Sequence, residues 1–554
     1  MSKSILSPWK RFVGLLSLER KDILQVFYYA IFGGIVSLSL PLGIQAIINL
    51  LQGAQISTSW IVLVILVTLG IAFTGVLQLM QIRIIEVIQQ RIFTRASFEF
   101  TYRFPKIRSN QLRNYYPPEL ANRFFDTLAV QKGLSKILIE IPAAVLQIIF
   151  ALILLSFYHP FFIIFGVLLL LLIYVVFKFT AQRGMLTSLE ESKHKYRVAH
   201  WIQEVARAVM SFKVSGKTNL ALTKNDELVT DYLNARESHF KVLLTQFMHM
   251  IGFKIIVTAG LLIVGGILVL NQEMNIGQFV AAEIIIILVI GSVEKIMIGL
   301  ESFYDVLTSL EKIGQIVDKN LESRNGEKIR FKDNFIIELE NVGYDVDDRK
   351  EPILENINLK ITQDSRILIE GPSGSGKSSL LRTIATLIEP TKGCIYLDNK
   401  RLSGINLNSY RSQVGMSLTD ETPFEGTIRD NISFGNAEIT DDEIYDALNK
   451  VGLNEFIRLQ PLGLNTMLYP EGQRISFYVT KKLVLARAIV VKPKLLILED
   501  PLDHFEAKES KKLMDFLTSD SNPWALLVVS VNERWKQNCT QVITLEKGRI
   551  LNKK

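Results

Sequence analysis

The first half of the chain carries long apolar runs, whereas the second half alternates short apolar runs with polar ones. A helix needs roughly 20 apolar residues to cross a bilayer, and six stretches in the first half meet this requirement. The later alternation is typical of an α/β domain. The pattern therefore predicts an all-α membrane domain with six transmembrane helices, at 24–51, 60–82, 137–157, 160–179, 243–270 and 278–299.

The linkers between the predicted spans alternate in length and charge. Those after the first, third and fifth spans are short and nearly free of Lys and Arg, whereas those after the second and fourth are long and basic. Because Lys and Arg remain on the cytosolic side, both long linkers and both termini are expected in the cytosol. The helical spacing of apolar residues in these linkers predicts two long hairpins. Their tips, near 116–127 and 199–215, are expected to contact the soluble domain, one of them that of a partner chain.

The segment before the first span, MSKSILSPWKRFVGLLSLER, is basic and amphipathic and has no small-residue cleavage site. We expect a helix at the membrane surface, with a disordered lead-in as the alternative. A polar stretch, IVDKNLESRNGEKIRFKDNF, then separates the membrane half from the soluble half. The predicted organisation is an interfacial segment, a membrane domain, a linker and an α/β domain, at 1–20, 21–315, 316–335 and 336–554.

Three ionisable residues lie inside the predicted spans, where charge is costly. Lys254 and Glu294 both fall about 24–27 Å below the outer end of an antiparallel helix pair, at 1.5 Å per residue. They are therefore expected to face each other or a shared polar cavity, whereas Glu283 lies too close to the outer end to be the partner. A structural ion pair, or a helix end outside the hydrocarbon, is favoured over a substrate-binding role.

Composition narrows the classes of partner. The net charge is +7, but the basic residues crowd the cytosolic linkers as membrane topology requires, so no nucleic-acid partner is expected. The two cysteines, Cys394 and Cys539, have the spacing of neither a zinc site nor a disulfide framework. Both are expected as cytosolic thiols.

The strongest local pattern is SRILIEGPSGSGKSSLLRTIATLI, at 365–388. A strand at 366–370 leads into GxxxxGK[ST] and then a helix, which is the context that validates a phosphate-binding loop. Lys377 is expected to contact the β- and γ-phosphates of ATP and Ser378 to ligate Mg²⁺. The predicted nucleotide contacts are Gly371, Pro372, Ser373, Gly374, Ser375, Gly376, Lys377, Ser378 and Ser379.

A second apolar run, LLIL at 495–498, ends in the acidic pair Glu499-Asp500. In nucleotide hydrolases of this type, such a strand holds Mg²⁺ and orients a water molecule. The sequence therefore predicts an α/β phosphate-loop ATPase domain after the membrane domain.

Six spans with long cytosolic hairpins, followed by a phosphate-loop domain, resemble an ABC exporter half-transporter. TPFEGTIRDNISFG (422–435), LVLARAI (483–489) and VITLEKGRI (542–550) are similar to family segments. SLPLGIQAIINLL (39–51) is similar to the toxin- and bacteriocin-secreting branch. The resemblance implies ATP and Mg²⁺ as cofactors. It also implies a dimer in which each ATP site takes the phosphate loop from one chain and the signature from the other.

Several nucleotide motifs of the family fall on altered residues. The aromatic that stacks on adenine falls at Val346, with Tyr344 two positions earlier. The glutamine of the glutamine loop falls at Thr419, and the switch histidine falls at Val531. The resemblance places a metal contact at Thr419, where the side chain differs.

The signature and the acidic strand are altered as well. The signature falls at 475–479, Ile-Ser-Phe-Tyr-Val, of which only Ser476 matches, so Ser476 is the implied nucleotide contact. The magnesium aspartate falls at Glu499 and the catalytic glutamate at Asp500. The resemblance thus implies Ser378, Thr419 and Glu499 on the metal, and Asp500 with Glu499 as the catalytic pair. A shorter base and a missing histidine predict weakened hydrolysis.

Two functions fit this combination. The first is a subunit of an ATP-driven exporter with attenuated hydrolysis, multi-pass in a bacterial inner membrane. It would work as a homodimer or with a second half-transporter, and a periplasmic adaptor is a further candidate partner. The alternative is an ATP-binding membrane scaffold or regulatory subunit that does not transport. A vigorous ATPase conflicts with the lost motifs, and no feature of the spans indicates a substrate.

Overall fold

The computed structural model of the chain describes residues 7–52, 58–323, 325–503 and 505–553. They form two compact units, Met1–Ile107 with Asn114–Lys319, and Arg108–Arg113 with Asn320–Lys554. The α-helices up to residue 317 are α1 Pro8–Leu18, α2 Arg20–Ser37, α3 Ser39–Gln52, α4 Thr58–Arg103, α5 Ser109–Leu112, α6 Pro117–Asn122, α7 Asp126–Ser156, α8 Phe161–Arg207, α9 Val209–Val214, α10 Leu220–Leu270 and α11 Ile276–Val317.

Five helical segments of the described chain are long and apolar enough to cross a membrane. A shorter apolar stretch, Phe161–Leu171, begins α8, and most of the remainder of the predicted span 160–179 lies outside the described side chains. The first predicted span consists of α2 and α3. Pro41, near the start of α3, explains the break because it lacks an N–H and clashes with the preceding turn. The five segments are Arg20–Leu51, Thr58–Lys106, Pro117–Ser156, Leu220–Leu270 and Ile276–Val317.

The long linkers continue the apolar helices, as predicted: α4 runs for 46 residues and α8 for 47. Residues 116–127 belong to the first unit, whereas the short segment Arg108–Arg113 belongs to the second. Within the second unit the Arg108 N–H donates to the Asn320 carbonyl at 3.2 Å, and Arg113 forms an ion pair with Asp348. Contact of the tips near 116–127 and 199–215 with a soluble domain stays a prediction.

The N-terminal segment forms a helix that is packed within the first unit. Ser7 caps α1, and the ring of Phe12 meets that of Phe303 edge-on at 5.4 Å. Arg11 forms ion pairs with Glu311 and Asp318 near the end of α11. These contacts anchor α1, so the described residues exclude the disordered alternative.

The predicted pairing of charges inside the spans is not formed. Phe253 and Val257 of α10 are buried, which places Lys254 on another face of the helix, where it is exposed. Across the described residues, no ion pair joins Lys254 to Glu294. The depth argument did not specify the rotation of α10 about its axis, which decides the face on which Lys254 lies.

The second unit is an α/β domain with three sheets. A six-stranded sheet has the order β12-β11-β3-β10-β9-β6 and a four-stranded sheet the order β2-β1-β4-β5. Its strands are β1 Ile336–Tyr344, β2 Leu354–Thr362, β3 Arg366–Glu370, β4 Lys392–Leu397, β5 Lys400–Arg401, β6 Val414–Ser417, β7 Gly426–Thr427, β8 Met467–Leu468, β9 Leu495–Glu499, β10 Ala525–Val529, β11 Gln541–Glu546 and β12 Arg549–Lys553. Its helices are α12 Lys377–Ile384, α13 Leu407–Arg411, α14 Ile428–Ser433, α15 Asp441–Lys450, α16 Asn454–Arg458, α17 Phe477–Val490, α18 Ala507–Thr518 and α19 Trp535–Asn538.

The six-stranded sheet positions the site. Strands β3, β10, β9 and β6 are parallel, and β3, β9 and β10 are almost wholly buried, which suits their continuous apolar runs. The carboxyl ends of parallel strands lie at one edge of a sheet, where ligands of open α/β sheets bind. The loop after β3 and the acidic pair after β9 therefore share this edge.

Close packing of α7 on α11 gives the first testable prediction. A Cβ at Gly133 would lie 2.3 Å from Val306 Cγ2, so Gly133→Leu should force the two helices apart at a cost of about 1–3 kcal/mol. The melting temperature of the solubilised chain should fall. Gly75→Leu is the matched control, because a Cβ there meets open space. Equal shifts for both variants would contradict this packing.

The two thiols should differ in reactivity. Burial raises the pKa of the Cys539 thiol to about 12, whereas Cys394 lines a cavity of about 710 Å³. Because the thiolate is the nucleophile, maleimide at neutral pH should label Cys394 well before Cys539. The Cys539 rate should still be rising at pH 9, since that pH lies below its pKa. Single Cys→Ser variants identify each rate, and equally fast labelling of the folded chain would refute the prediction.

Candidate functional site

The phosphate-binding loop predicted at 371–378 joins β3 to α12. Gly371, Gly374 and Gly376 have φ angles of 148°, 78° and 99°, a region that favours glycine. A Cβ at Gly371 would lie 2.0 Å from the Leu545 carbonyl oxygen, so a larger residue cannot follow this path. Such a loop before a helix N-terminus presents backbone amides to an anion.

Side chains complete the loop. Lys377 Nζ donates to the carbonyl oxygens of Gly371 and Pro372, both at 2.8 Å, which holds the ammonium over the loop. Ser375 is buried and its carbonyl accepts from the Gly548 N–H at 3.0 Å. Ser373, with Pro372 and Gly374, forms the exposed rim. Ser379 follows on α12, so the structure places all nine predicted loop residues together.

Glu499 ends β9 beside this loop and is held by two donors. It is 8% exposed, and Ser378 Oγ donates to its Oε1. The Thr419 backbone N–H donates to Oε2 at 3.4 Å. A buried carboxylate requires such donors. The structure thus brings Ser378, Glu499 and Thr419 together, but Thr419 takes part through its backbone.

Asp500 occupies a strained position directly after β9. Its φ is 44°, and its N–H donates to the Val529 carbonyl at 2.8 Å. Burial raises the pKa of the Asp500 carboxyl to about 6, with Asp503 and Glu499 adding to the effect and Lys377 opposing it. Within the described residues, Asp500 Oδ1 is buried without a hydrogen-bond partner. A buried acceptor left open in this way suits contact with a bound molecule.

Ser476 is the N-cap of α17 and accepts from the Val479 N–H at 3.3 Å. The two bulky residues after it face different surroundings. Phe477 is 53% exposed, whereas the Tyr478 ring lies 4.7 Å from that of Phe505 within the same domain. This hydrogen bond lies within α17, so it does not join Ser476 to the phosphate loop.

The remaining altered positions are placed as follows. Tyr344 is 9% exposed and packs in the core, and Val346 is partly buried against the same core. Neither residue presents an open aromatic face for a base. Val531 is 79% exposed and borders a pocket of about 290 Å³ together with Gly371. The position of the switch histidine therefore does lie beside the phosphate loop.

Sequence analysis missed Lys481. This residue lies in the second turn of α17, is 9% exposed, and donates through Nζ to the Thr419 carbonyl at 2.5 Å. The available signal was a Lys-Lys pair at the start of an otherwise apolar helix, since buried lysines occur chiefly when paired.

The donors present fit Mg²⁺. Ser378 and Glu499 supply oxygen only, and Mg²⁺ is typically held by one or two carboxylates, waters and substrate phosphates. Over the described ranges, no group of three or more His, Cys, Asp or Glu residues could hold a metal. Ser378 and Glu499 would therefore hold Mg²⁺ together with phosphate oxygens, and the Ser378 hydroxyl would keep its lone pairs available while it donates its proton to Glu499.

The loop, the acidic strand and the parallel sheet define a phosphate-loop nucleotide-binding domain. Residues 354–503, within the second unit, match the family model of the ABC transporter domain. A solved structure of a bacterial Atm1-family ABC exporter with ATP bound shares the fold at a TM-score of 0.86 and 16% identity, covering 97% of this chain and 96% of that one. The chain therefore has the architecture of an ABC exporter half-transporter, as the sequence predicted.

Curated relatives agree with this assignment. The alpha-hemolysin translocation ATP-binding protein HlyB of Escherichia coli O157:H7 is 25% identical over 353 residues, 63% of this chain and 50% of that protein. The ATP-dependent lipid A-core flippase of Burkholderia orbicola is 26% identical over 310 residues, 56% of this chain and 51% of that protein. These matches span about half the length of the curated relatives.

Loss of the Lys377 ammonium should weaken nucleotide binding. Its position over the loop suits a charge-assisted contact with phosphate, and removing such a contact typically costs about 10-fold or more in affinity. We expect at least this loss for Lys377→Ala in a titration with a fluorescent ATP analogue. Lys400→Ala removes an exposed lysine paired with Glu327 and serves as control. Unchanged affinity of Lys377→Ala for the ATP analogue would show that this loop does not bind the nucleotide.

Proposed function

We propose that this chain is a subunit of an ATP-driven ABC-type exporter that binds Mg²⁺-ATP and hydrolyses it slowly on its own. The observation that carries the proposal is an intact phosphate loop, bonded through Ser378 to Glu499, on a chain with exporter architecture. The relatives' printed descriptions, a haemolysin translocator and a lipid A-core flippase, support export across a membrane.

Binding rests on residues 371–379. Their amides, the Lys377 ammonium and the N-terminus of α12 provide the positive potential that phosphates require. Ser378 and Glu499 would hold Mg²⁺, which would neutralise part of the phosphate charge. Base contacts are weaker, because Val346 offers no aromatic ring. We therefore expect specific but modest affinity.

Hydrolysis is weakened at three points. Asp500 is one methylene shorter than glutamate, and a general base must reach its proton within about 3 Å. Val531 cannot donate a hydrogen bond to a γ-phosphate. Phe477 and Tyr478 stand where the family has glycines, whose amides approach the phosphate of a partner chain. A general base raises the rate by about 10²–10⁴-fold, but only when it is well positioned.

The assembly follows from the composite site. A signature must come from a second chain, so we propose a dimer, either of two copies or with a half-transporter that has complete motifs. The chain would be multi-pass in a bacterial inner membrane, with both termini and the nucleotide domain cytosolic, and a periplasmic adaptor would serve secretion. The alternative is an ATP-binding scaffold that does not transport. The altered signature at 475–479 is the observation that supports it.

ATP turnover by the purified chain tests the proposal. Typical enzymes turn over near 10 s⁻¹, and we expect this chain alone to be at least about a hundredfold slower, because its base, histidine position and signature are altered. Asp500→Glu with Val531→His and Thr419→Gln should raise the rate only when a competent partner supplies the signature. Several turnovers per second by the unmodified homodimer would overturn attenuation.

The scaffold alternative predicts different experimental results. It predicts that ATP promotes dimerisation, while turnover and substrate movement in reconstituted vesicles stay at background with every partner tried. Any partner that yields vanadate-sensitive turnover coupled to transport would exclude the scaffold.

A further inference from the structure

Lys481 is a buried cation for which the proposed reaction has no role. Its side chain is 9% exposed, and Nζ lies 5.3 Å from the ring centroid of Phe477. A buried ammonium is costly unless it is paired. The carboxylates that interact with it are those of Asp420, Glu421, Glu499 and Asp500.

The backbone of Thr419 connects Lys481 to the metal side of the site. The Thr419 carbonyl accepts from Lys481 at 2.5 Å, and its N–H donates to Glu499 at 3.4 Å. The second distance is at the long end for a hydrogen bond. The contact with Glu499 therefore depends on the side chains that hold this loop in place. Arg382 of α12 donates to Asp420 at 3.0 Å, and Lys481 holds the Thr419 carbonyl from α17.

Lys482 shows that the arrangement is specific to one lysine. It is also buried, at 2% exposed, but it donates to the Gly452 carbonyl at 3.1 Å and to Glu509. The two adjacent lysines of this helix thus have different hydrogen-bond partners. Of the two, Lys481 contacts the loop at 418–421.

We propose that Lys481 is a positioning residue for the Mg²⁺-nucleotide site. It holds the loop at 418–421 so that the Thr419 amide orients Glu499 towards the metal, and it ties this loop to the start of α17 in the same chain. The proposal rests on the proposed function, and it names the device by which the metal side of that site is set.

The test measures Mg²⁺ dependence rather than turnover. A fluorescent ATP analogue is titrated onto the purified full-length chain at a series of Mg²⁺ concentrations and in excess EDTA. Lys481→Met should raise the Mg²⁺ concentration for half-maximal binding about 10-fold, the usual effect of losing one charge-assisted hydrogen bond. Binding in EDTA should be unchanged. Lys481→Arg should bring the half-saturating Mg²⁺ concentration part of the way back to the wild-type value. Hydrogen exchange at residues 415–421 should accelerate in the Met variant.

Lys482→Met is the matched control, since it removes a neighbouring buried ammonium without touching Thr419. It should lower the melting temperature and leave the Mg²⁺ half-saturation unchanged. Equal Mg²⁺ shifts in both Met variants, or none in Lys481→Met, would overturn the proposal. If Lys481→Met does not fold, Lys481→Gln carries the same test with the same outcomes. A wild-type chain that binds no nucleotide would instead refute the proposed function.

Discussion

The hydrogen bond from Ser378 to Glu499 is the contact on which the nucleotide domain depends. It joins the first turn of α12 to the end of β9, across the sheet edge where β10 lies between β3 and β9. Because Glu499 is buried, its charge would be costly without donors. The phosphate loop and the loop after β6 each supply one. Binding chemistry and domain stability thus share the same carboxylate.

Because of this contact, the exchanged order of Glu499 and Asp500 changes the geometry of the site. The longer side chain stands at the metal position and reaches Ser378 directly. The shorter one follows it in a left-handed conformation, with its backbone bonded to Val529. Its carboxyl is desolvated and close to Asp503, so the pKa of Asp500 rises to about 6. Under the proposed function, Asp500 would act as a base with a shorter reach than glutamate, whereas Glu499 keeps its hydrogen bond with Ser378.

Sequence analysis predicted the features that local pattern determines. Apolar runs located the long helices, and the glycine spacing located the loop at 371–378, because hydrophobic burial and positive φ angles leave direct marks in the sequence. Features set by rotation or by backbone atoms were not predictable. The face of α10 that carries Lys254 depends on packing, and Thr419 acts through its N–H and carbonyl rather than its side chain. The assignment of Arg108–Arg113 to the second unit was not predicted either, because hairpin length alone does not fix which residues leave the helices.

The contacts made by the residues in and just after the altered signature show what this segment does within its own domain. In the family, small residues at the start of this helix leave backbone amides open to a partner's phosphate. Here the Tyr478 ring packs against that of Phe505 at a tilt of 45°, and Lys482 Nζ lies 4.1 Å from the centroid of the Tyr478 ring. Lys481 donates to the Thr419 carbonyl. These three side chains are thus directed into their own domain. Under the proposed function, the start of α17 supports the loop beside Glu499, and the altered signature presents fewer open backbone amides to the nucleotide of a second chain.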